Sequence, residues 1–261
     1  MEALSKLKNF IFREISKDHF AIFFKDRRKH LQFIRDLSKK YFEINDFTII
    51  DNYKIPNIFI SKIKKTDMST LLSFGVEFHI DFEYKISKKF NKTFNFFEID
   101  KRSIKWFNEN FKNNKNLLIY NFGVSNKNEM VDCYGSLNKN FSSSMNQAFI
   151  KNHSNKFSFI NQAQVYRMNK ILEIIGKKNI DFLKLDIEGE AIKVLNDIIE
   201  LNIYPKIILC ELERPKNMKF ESYKKQVMNL LKSIEKYYDI IVSNRNDSFN
   251  AYAIEFWMFK K

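Results

Sequence analysis

The sequence predicts an α/β fold: a doubly wound, mostly parallel sheet with an antiparallel C-terminal hairpin, behind an N-terminal helical extension. Three observations carry this. From about residue 69, short apolar runs alternate with amphipathic stretches, the order of a parallel sheet covered on both faces by helices. The last two runs, DIIVS and NAYAIEFWMF, leave no room for a crossover helix, so they pair as a hairpin. Residues 1–66 instead repeat apolar side chains at helical spacing.

Each element follows in order. Leu4, Leu7, Ile11 and Ile15 mark a first helix of the extension, and Phe23, Leu31, Ile34 and Leu37 a second. NYKIPNIFISKIKK reads as a short strand with a basic tail. The domain proper, residues 67–261, opens with STLLSFGV, a strand that ends at Gly75. DFEYKISKKF is a helix, TFNFFEID a strand ending in acids, RSIKWFNENF a helix, NLLIYNFGV a strand and EMVDCYG another. Residues 136–160 are polar, rich in Ser and Asn and without a clear period. That is long for a connection in a compact domain and points to a functional loop. After AQVYRM come helix NKILEIIG, strand DFLKLDI, helix EGEAIKVLNDIIEL, strand KIILCELE, helix SYKKQVMNLLKSIEKY and the closing hairpin.

Composition narrows the function. Hydrophobic residues make up 44% of the 261, enough for a core. No apolar run approaches the roughly 20 residues of a membrane helix. The amphipathic N-terminus lacks the apolar stretch and cleavage site of a signal peptide. Cys133 and Cys210 stand far apart, without metal-ligand spacing, so a cytoplasmic location is expected. The formal charge of +14 has two readings. One is a polyanionic partner: nucleic acid, anionic lipid or a phosphorylated substrate. The other is codon bias toward Lys, Asn, Ile and Phe. The basic residues are spread rather than gathered into an arm, which favours bias and disfavours nucleic acid. A phosphate-bearing small substrate still suits the field.

Ligands of open parallel sheets bind beyond the carboxyl ends of the strands. There the sequence puts Gly75, Val76 and Glu77, then Glu98 and Asp100, then Asn121, Phe122 and Gly123, then Asp186 and Glu188, then Glu211 and Glu213. This is an acidic crown on a basic protein. Glu213 and Asp100 read as acids facing water or a helix N-terminus. Glu98 ends an apolar run about 20 residues past the first turn, where an acid accepts from both ribose hydroxyls of a nucleoside cofactor. Lys184, Asp186 and Glu188 share one strand face. A lysine within an apolar strand requires a partner, and Asp186 is the nearest. The group reads either as a structural ion pair or as a carboxylate placed to orient or deprotonate a hydroxyl. Gly189 allows close backbone approach, and His79 reads as packing against or capping the next helix.

DFLKLDIEGEAIKVL followed by KIILCELE closely resembles the signature of the FkbM-like methyltransferase family. QVYRMNKILEIIG and NFGVSNKNEMVDCYG resemble the family's neighbouring segments. LLSFGVEFHIDFEYKISKKF with FNFFEIDKRSI resembles a branch with Ser-Phe-Gly-Val in place of Asp-x-Gly-x-x-x-Gly. The resemblance implies a seven-stranded sheet of class I methyltransferase type, S-adenosylmethionine as cofactor, and O-methylation of sugars in surface-polysaccharide (capsule-type) or natural-product pathways. It places Gly75, Val76 and Glu77 at the methionine part, Glu98 and Ile99 at the ribose, and Gly123 and Val124 near adenine. Asp186 and Glu188, with Lys184 behind them, fall by the transferred methyl and the acceptor. Two positions depart: Glu77 stands where the branch has glycine, and Asn169 where the family has Asp.

A sulfonium methyl is already activated, so the protein must align the acceptor oxygen and remove its proton. His153, in the polar loop that becomes the acceptor-binding segment, is the first candidate base and Asp186 the second. A divalent metal is possible but not favoured, since no two-His-plus-acid spacing demands one. The expected substrate is a nucleotide sugar or saccharide, and the N-terminal helices offer a surface for a homodimer. The rival readings are RNA methylation, which needs a basic stripe with stacking aromatics, and a non-catalytic binding module.

Overall fold

The computed structural model describes residues 17–43, 46–50, 53–64, 67–136, 143–144, 157–187, 189–214, 218–243 and 253–261. In chain order it begins with α1 (Lys17–Lys40), β1 (Phe42–Glu43), β2 (Phe47–Ile50), β3 (Tyr53–Pro56) and α2 (Asn57–Ile63). Then come β4 (Leu71–Phe74), α3 (Asp81–Phe90), β5 (Phe94–Phe97), α4 (Lys101–Phe111) and β6 (Leu117–Tyr120). A second group follows: β7 (Gly123–Val124), β8 (Glu129–Ser136), β9 (Ser143–Ser144), β10 (Phe157–Tyr166) and α5 (Met168–Ile174). The chain closes with β11 (Phe182–Leu185), α6 (Ala191–Glu200), β12 (Ile207–Glu213), α7 (Phe220–Ile234), β13 (Tyr238–Ser243) and β14 (Ala253–Lys260).

The main sheet runs β6-β5-β4-β11-β12-β14-β13, with β1 as an eighth strand on the β13 edge. All pairings are parallel except those of β14, which is antiparallel to both β12 and β13. The expected mostly parallel, seven-stranded sheet with its C-terminal hairpin is therefore present. Its strands are apolar throughout because both faces are covered. In β11, Leu183 and Leu185 face one core with α1, α5, α6 and α7, while Phe182 faces the other with α2, α3 and α4. Among the described residues no helix is long and apolar enough to cross a membrane.

Four readings need correction. NYKIPNIFISKIKK begins as the expected short strand, but its tail is a helix. It pairs as β3 with β2 and turns helical at Asn57, where Phe59, Ile60 and Ile63 are buried against the sheet. Pro56 ends the strand and stands at the N-cap of α2, a position that needs no backbone N–H. NLLIYNFGV is two strands, since β6 stops at Tyr120 and Gly123–Val124 pair instead with Val165–Tyr166. That pairing belongs to a second sheet of order β7-β10-β8-β9, which periodicity alone did not announce. Its strand β10 starts inside the stretch read as loop. Here Ala163 and Val165 are buried while Phe159 is exposed, and a register shift between Phe159 and Asn161 breaks the alternation. The mixed polarity is that of a sheet with one wet face.

A candidate active site at the sheet switch point

From β4 the chain builds outward through β5 and β6. From β11 it builds the other way through β12. The two strands lie side by side with Phe74 opposite Leu185, so the switch point opens just beyond them. Gly75 and Asp186 are the next residues. The Asp186 amide donates to the Phe74 carbonyl at 3.1 Å, and the Gly75 amide to Phe97 at 3.2 Å. Gly75 has φ +89°, and a Cβ there would stand 1.9 Å from the Asp186 carbonyl oxygen. Only glycine meets both conditions.

Lys184 occupies the strand face turned toward α3. Its Nζ lies 3.0 Å from Glu83 Oε1 and 3.4 Å from Asp186 Oδ2. Asp186 is thus a partner, as expected, but the closer one is Glu83, an α3 residue that strand spacing could not supply. Glu83 is 1% exposed and also accepts from the hydroxyl of Ser73, the residue opposite Lys184 on β4. Burial acts to lower the Lys184 pKa, but the Glu83 and Asp186 carboxylates outweigh it and hold the ammonium above its usual range. Lys184 therefore stays protonated at neutral pH. Asp186 keeps about a third of its side chain exposed (36%) and is the most exposed member of the group.

Glu98 ends β5 and is buried. Its Oε2 accepts from the amides of Val76 at 2.8 Å and Glu77 at 3.3 Å, and its Oε1 from those of Ile99 at 2.7 Å and Asp100 at 2.9 Å. Burial pushes this carboxyl up, and the amide hydrogen bonds pull it back only in part. The carboxylate thus ties the loop after β4 to the turn after β5. Within that loop Glu77 and Phe78 both have positive φ, 44° and 66°. Holding two successive non-glycine residues there costs energy and needs anchors. Glu98 is one, and the Ser103 hydroxyl, which accepts from the Phe78 amide at 3.0 Å, is another.

Gly123 and Val124 are buried, with Gly123 so close to Ile99 that a Cβ would meet Ile99 Cγ2 at 2.7 Å. Asp100 accepts from the Arg102 amide as the N-cap of α4, the helix-terminus role expected of it. His79 departs from expectation. It is exposed, and the N-cap of α3 is Ile80, with no side-chain cap. Glu211 stands directly opposite Glu255 on β14, two strands from the switch point. Glu188 and His153 lie outside the described residues. Among the described residues no three His, Cys, Asp or Glu side chains converge as a metal site. Sequence reasoning missed Glu83, Ser103 and Asn161. Glu83 left a signal, an acid within the apolar stripe of Phe82 and Ile86. Ser103 and Asn161 left none.

The geometry can now be set beside known proteins. A family model described as the Methyltransferase FkbM domain matches residues 74–239. The chain belongs to this family. It is an S-adenosylmethionine-dependent methyltransferase of class I fold, and the matched span starts at the last residue of β4 and takes in the switch point. No curated protein matches this FkbM-family chain. Among solved structures it is similar to Aeropyrum pernix fibrillarin in complex with S-adenosylmethionine, at 10% identity and TM-score 0.43 over 73% of this chain and 66% of that one. It is also similar to an rRNA methylase described from Clostridium thermocellum, at 15% identity and TM-score 0.44 over 82% and 97%. A precorrin-6y methyltransferase of Geobacter metallireducens follows at 8% identity and TM-score 0.39 over 82% and 94%. Likeness this distant carries no argument about substrate.

Proposed function

We propose that this FkbM-family enzyme methylates a hydroxyl of a sugar, either nucleotide-activated or part of a surface polysaccharide. One observation carries the chemistry: a partly exposed carboxylate, Asp186, at the switch point with a permanent ammonium 3.4 Å behind it. Asp186 is placed to accept a hydrogen bond from the acceptor hydroxyl, to set its direction and to take its proton. Lys184 remains charged and fixes the carboxylate. Family membership supports a sugar acceptor, and the positive field suits one that carries phosphate.

The place of Glu98, directly after β5 at the switch point, supports a nucleoside cofactor. Glu98 and Ile99 would hold the ribose, Gly123 and Val124 would flank adenine, and Gly75 and Val76 would meet the methionine part. The carboxylate of Glu77, in place of the branch's glycine, is suited to the cofactor's ammonium. When bound, S-adenosylmethionine supplies a sulfonium methyl. His153 stays a second candidate for the base.

The test is transfer of labelled methyl to a panel of nucleotide sugars and polysaccharide fragments, with RNA as comparison. Label is expected in a sugar. Asp186→Asn should lower kcat by about 10²-fold, the usual worth of a positioned base, while cofactor affinity moves far less. Label in RNA alone would sink the substrate reading, and an unimpaired Asp186→Asn would sink the assignment of the base.

A further inference from the structure

The second sheet touches the Glu98 turn with three of its four strands. From β7, Gly123 packs on Ile99 closely enough that any side chain would collide with it. From β8, Gly135 makes room for Arg102, whose Nη2 would stand 2.3 Å from a Cβ there. Arg102 in turn grips Asp100, with Nη2 2.7 Å from Oδ2. From β10 comes Asn161. The bulge between Phe159 and Asn161 shifts the pairing and turns this amide inward, where it is 8% exposed. Its Nδ2 donates to the Ile99 carbonyl at 3.0 Å and to the Gln162 carbonyl at 3.0 Å. Its Oδ1 accepts from the Lys101 amide at 3.5 Å. One side chain thus spans the turn from residue 99 to residue 101, immediately after Glu98.

A buried primary amide is costly unless donor and acceptor are both used. Here both are used, and on the backbone of a single turn. From outside, the Arg102 pair with Asp100 and the packing of Gly123 on Ile99 also hold the turn. Glu98 holds it from within, through the amides of Ile99 and Asp100. Losing Asn161 would leave the Ile99 carbonyl without its side-chain donor and loosen the turn between residues 99 and 101. The Glu98 carboxylate would then lose the fixed direction that two ribose hydroxyls require.

We infer that Asn161 is a positioning residue for cofactor binding, acting through the Ile99–Lys101 turn on Glu98. This rests on the assignment of Glu98 to the ribose. It also gives the second sheet a function: β10, the strand that carries the amide, braces the cofactor turn.

The test uses calorimetric titration of the full chain with S-adenosylmethionine and, separately, adenosine. The parent, Asn161→Ala, Asn161→Asp and Glu98→Gln are compared. Asn161→Ala should weaken both ligands by the same factor, about tenfold, the worth of one buried hydrogen-bonded group. KM for the cofactor should rise by that factor while kcat moves less than about threefold, a split that general loosening of the fold would not produce. In Asn161→Asp a protonated carboxyl can still donate to the Ile99 carbonyl and an ionised one repels it. Its affinity relative to the parent should therefore be greater at pH 5 than at pH 8, and this arm decides if the alanine variant folds poorly.

If Glu98→Gln weakens adenosine and both Asn161 variants bind like the parent, the Asn161 inference is overturned and the ribose assignment stands. If Glu98→Gln binds adenosine like the parent, the ribose assignment fails. The route through Glu98 then fails with it, whatever Asn161→Ala does.

Discussion

Glu83 and Glu98 are both buried carboxylates near one crevice, and the protein neutralises them in different ways. Glu83 meets an ammonium, Lys184, on a neighbouring strand. Glu98 meets four backbone amides on two loops. The first solution joins α3 to β11 and β4 through side chains on regular elements. Removing Lys184 strands Glu83 in an apolar core, whereas removing Glu83 leaves the ammonium the more distant Asp186. The second solution spreads the charge over N–H dipoles of two loops, one of them with positive φ at Glu77 and Phe78. If Glu98 takes the ribose as proposed, hydroxyl donors would compete with these amides for its two oxygens. The ion pair makes a wall and the amide cradle makes a clasp.

The largest effect should come from breaking the wall. Lys184→Met leaves Glu83 buried beside only a serine hydroxyl, and should cost about 3–5 kcal/mol in urea unfolding. The double variant Glu83→Gln/Lys184→Met should recover much of that, because neither charge is then left alone. A cost below about 1 kcal/mol for the single change would erase the contrast between the two sites.

His30 sharpens the comparison with a third strategy, keeping a buried group uncharged. It sits on α1, stacked on Tyr223 at 5.6 Å. Burial first, and then the Arg214 charge, lower its pKa from 6.5 to about 4, with a backbone hydrogen bond at Ala253 working the other way. Between these values the unfolded chain takes a proton that the folded chain refuses. Stability from this group is complete above pH 6.5 and is lost as pH falls toward 4, by up to about 3 kcal/mol. Unfolding curves across this range should show a steeper acid loss in the parent than in His30→Phe. Equal slopes would mean that His30 titrates normally.

The clasp should yield a smaller number. Glu98→Gln turns an amide NH₂ toward backbone donors and should weaken S-adenosylmethionine about tenfold, at a stability cost near 1 kcal/mol. Phe78 meets Trp106 edge to face at 6.2 Å, so opening of the loop should change Trp106 fluorescence when the cofactor binds. Trp106→Phe should abolish the signal. A cofactor that binds with no such change would show that the loop stays tied to Glu98. The smallest effect concerns Cys210, whose thiol burial pushes well up, with the Glu255 and Glu211 charges adding to it. It should react with thiol reagents only after denaturant is added.

Much of the site was legible in the sequence because its first members sit at the ends of strands. Gly75, Glu98 and Asp186 each close an apolar run, and local pattern is enough to find such ends. Glu83 was legible only in hindsight, as an acid on a helix face that buries Phe82 and Ile86. Asn161 was not legible. It lies next to a stretch whose wet outer face and bulge hide the strand period, and nothing nearby in sequence marks Ile99 as its partner.

By itself the sequence determined most strands and helices of the main sheet and which acids stand at their ends, but not the second sheet. Period and burial are local properties, encoded within about ten residues. It also determined the family, through a signature at one strand–helix junction. Only the tertiary structure decided the strand order, and with it the partners. Lys184 reaches Glu83 across 101 residues of chain and Asn161 reaches Ile99 across 62. Pairings at that range depend on which elements become neighbours, and no period within one element specifies its neighbour.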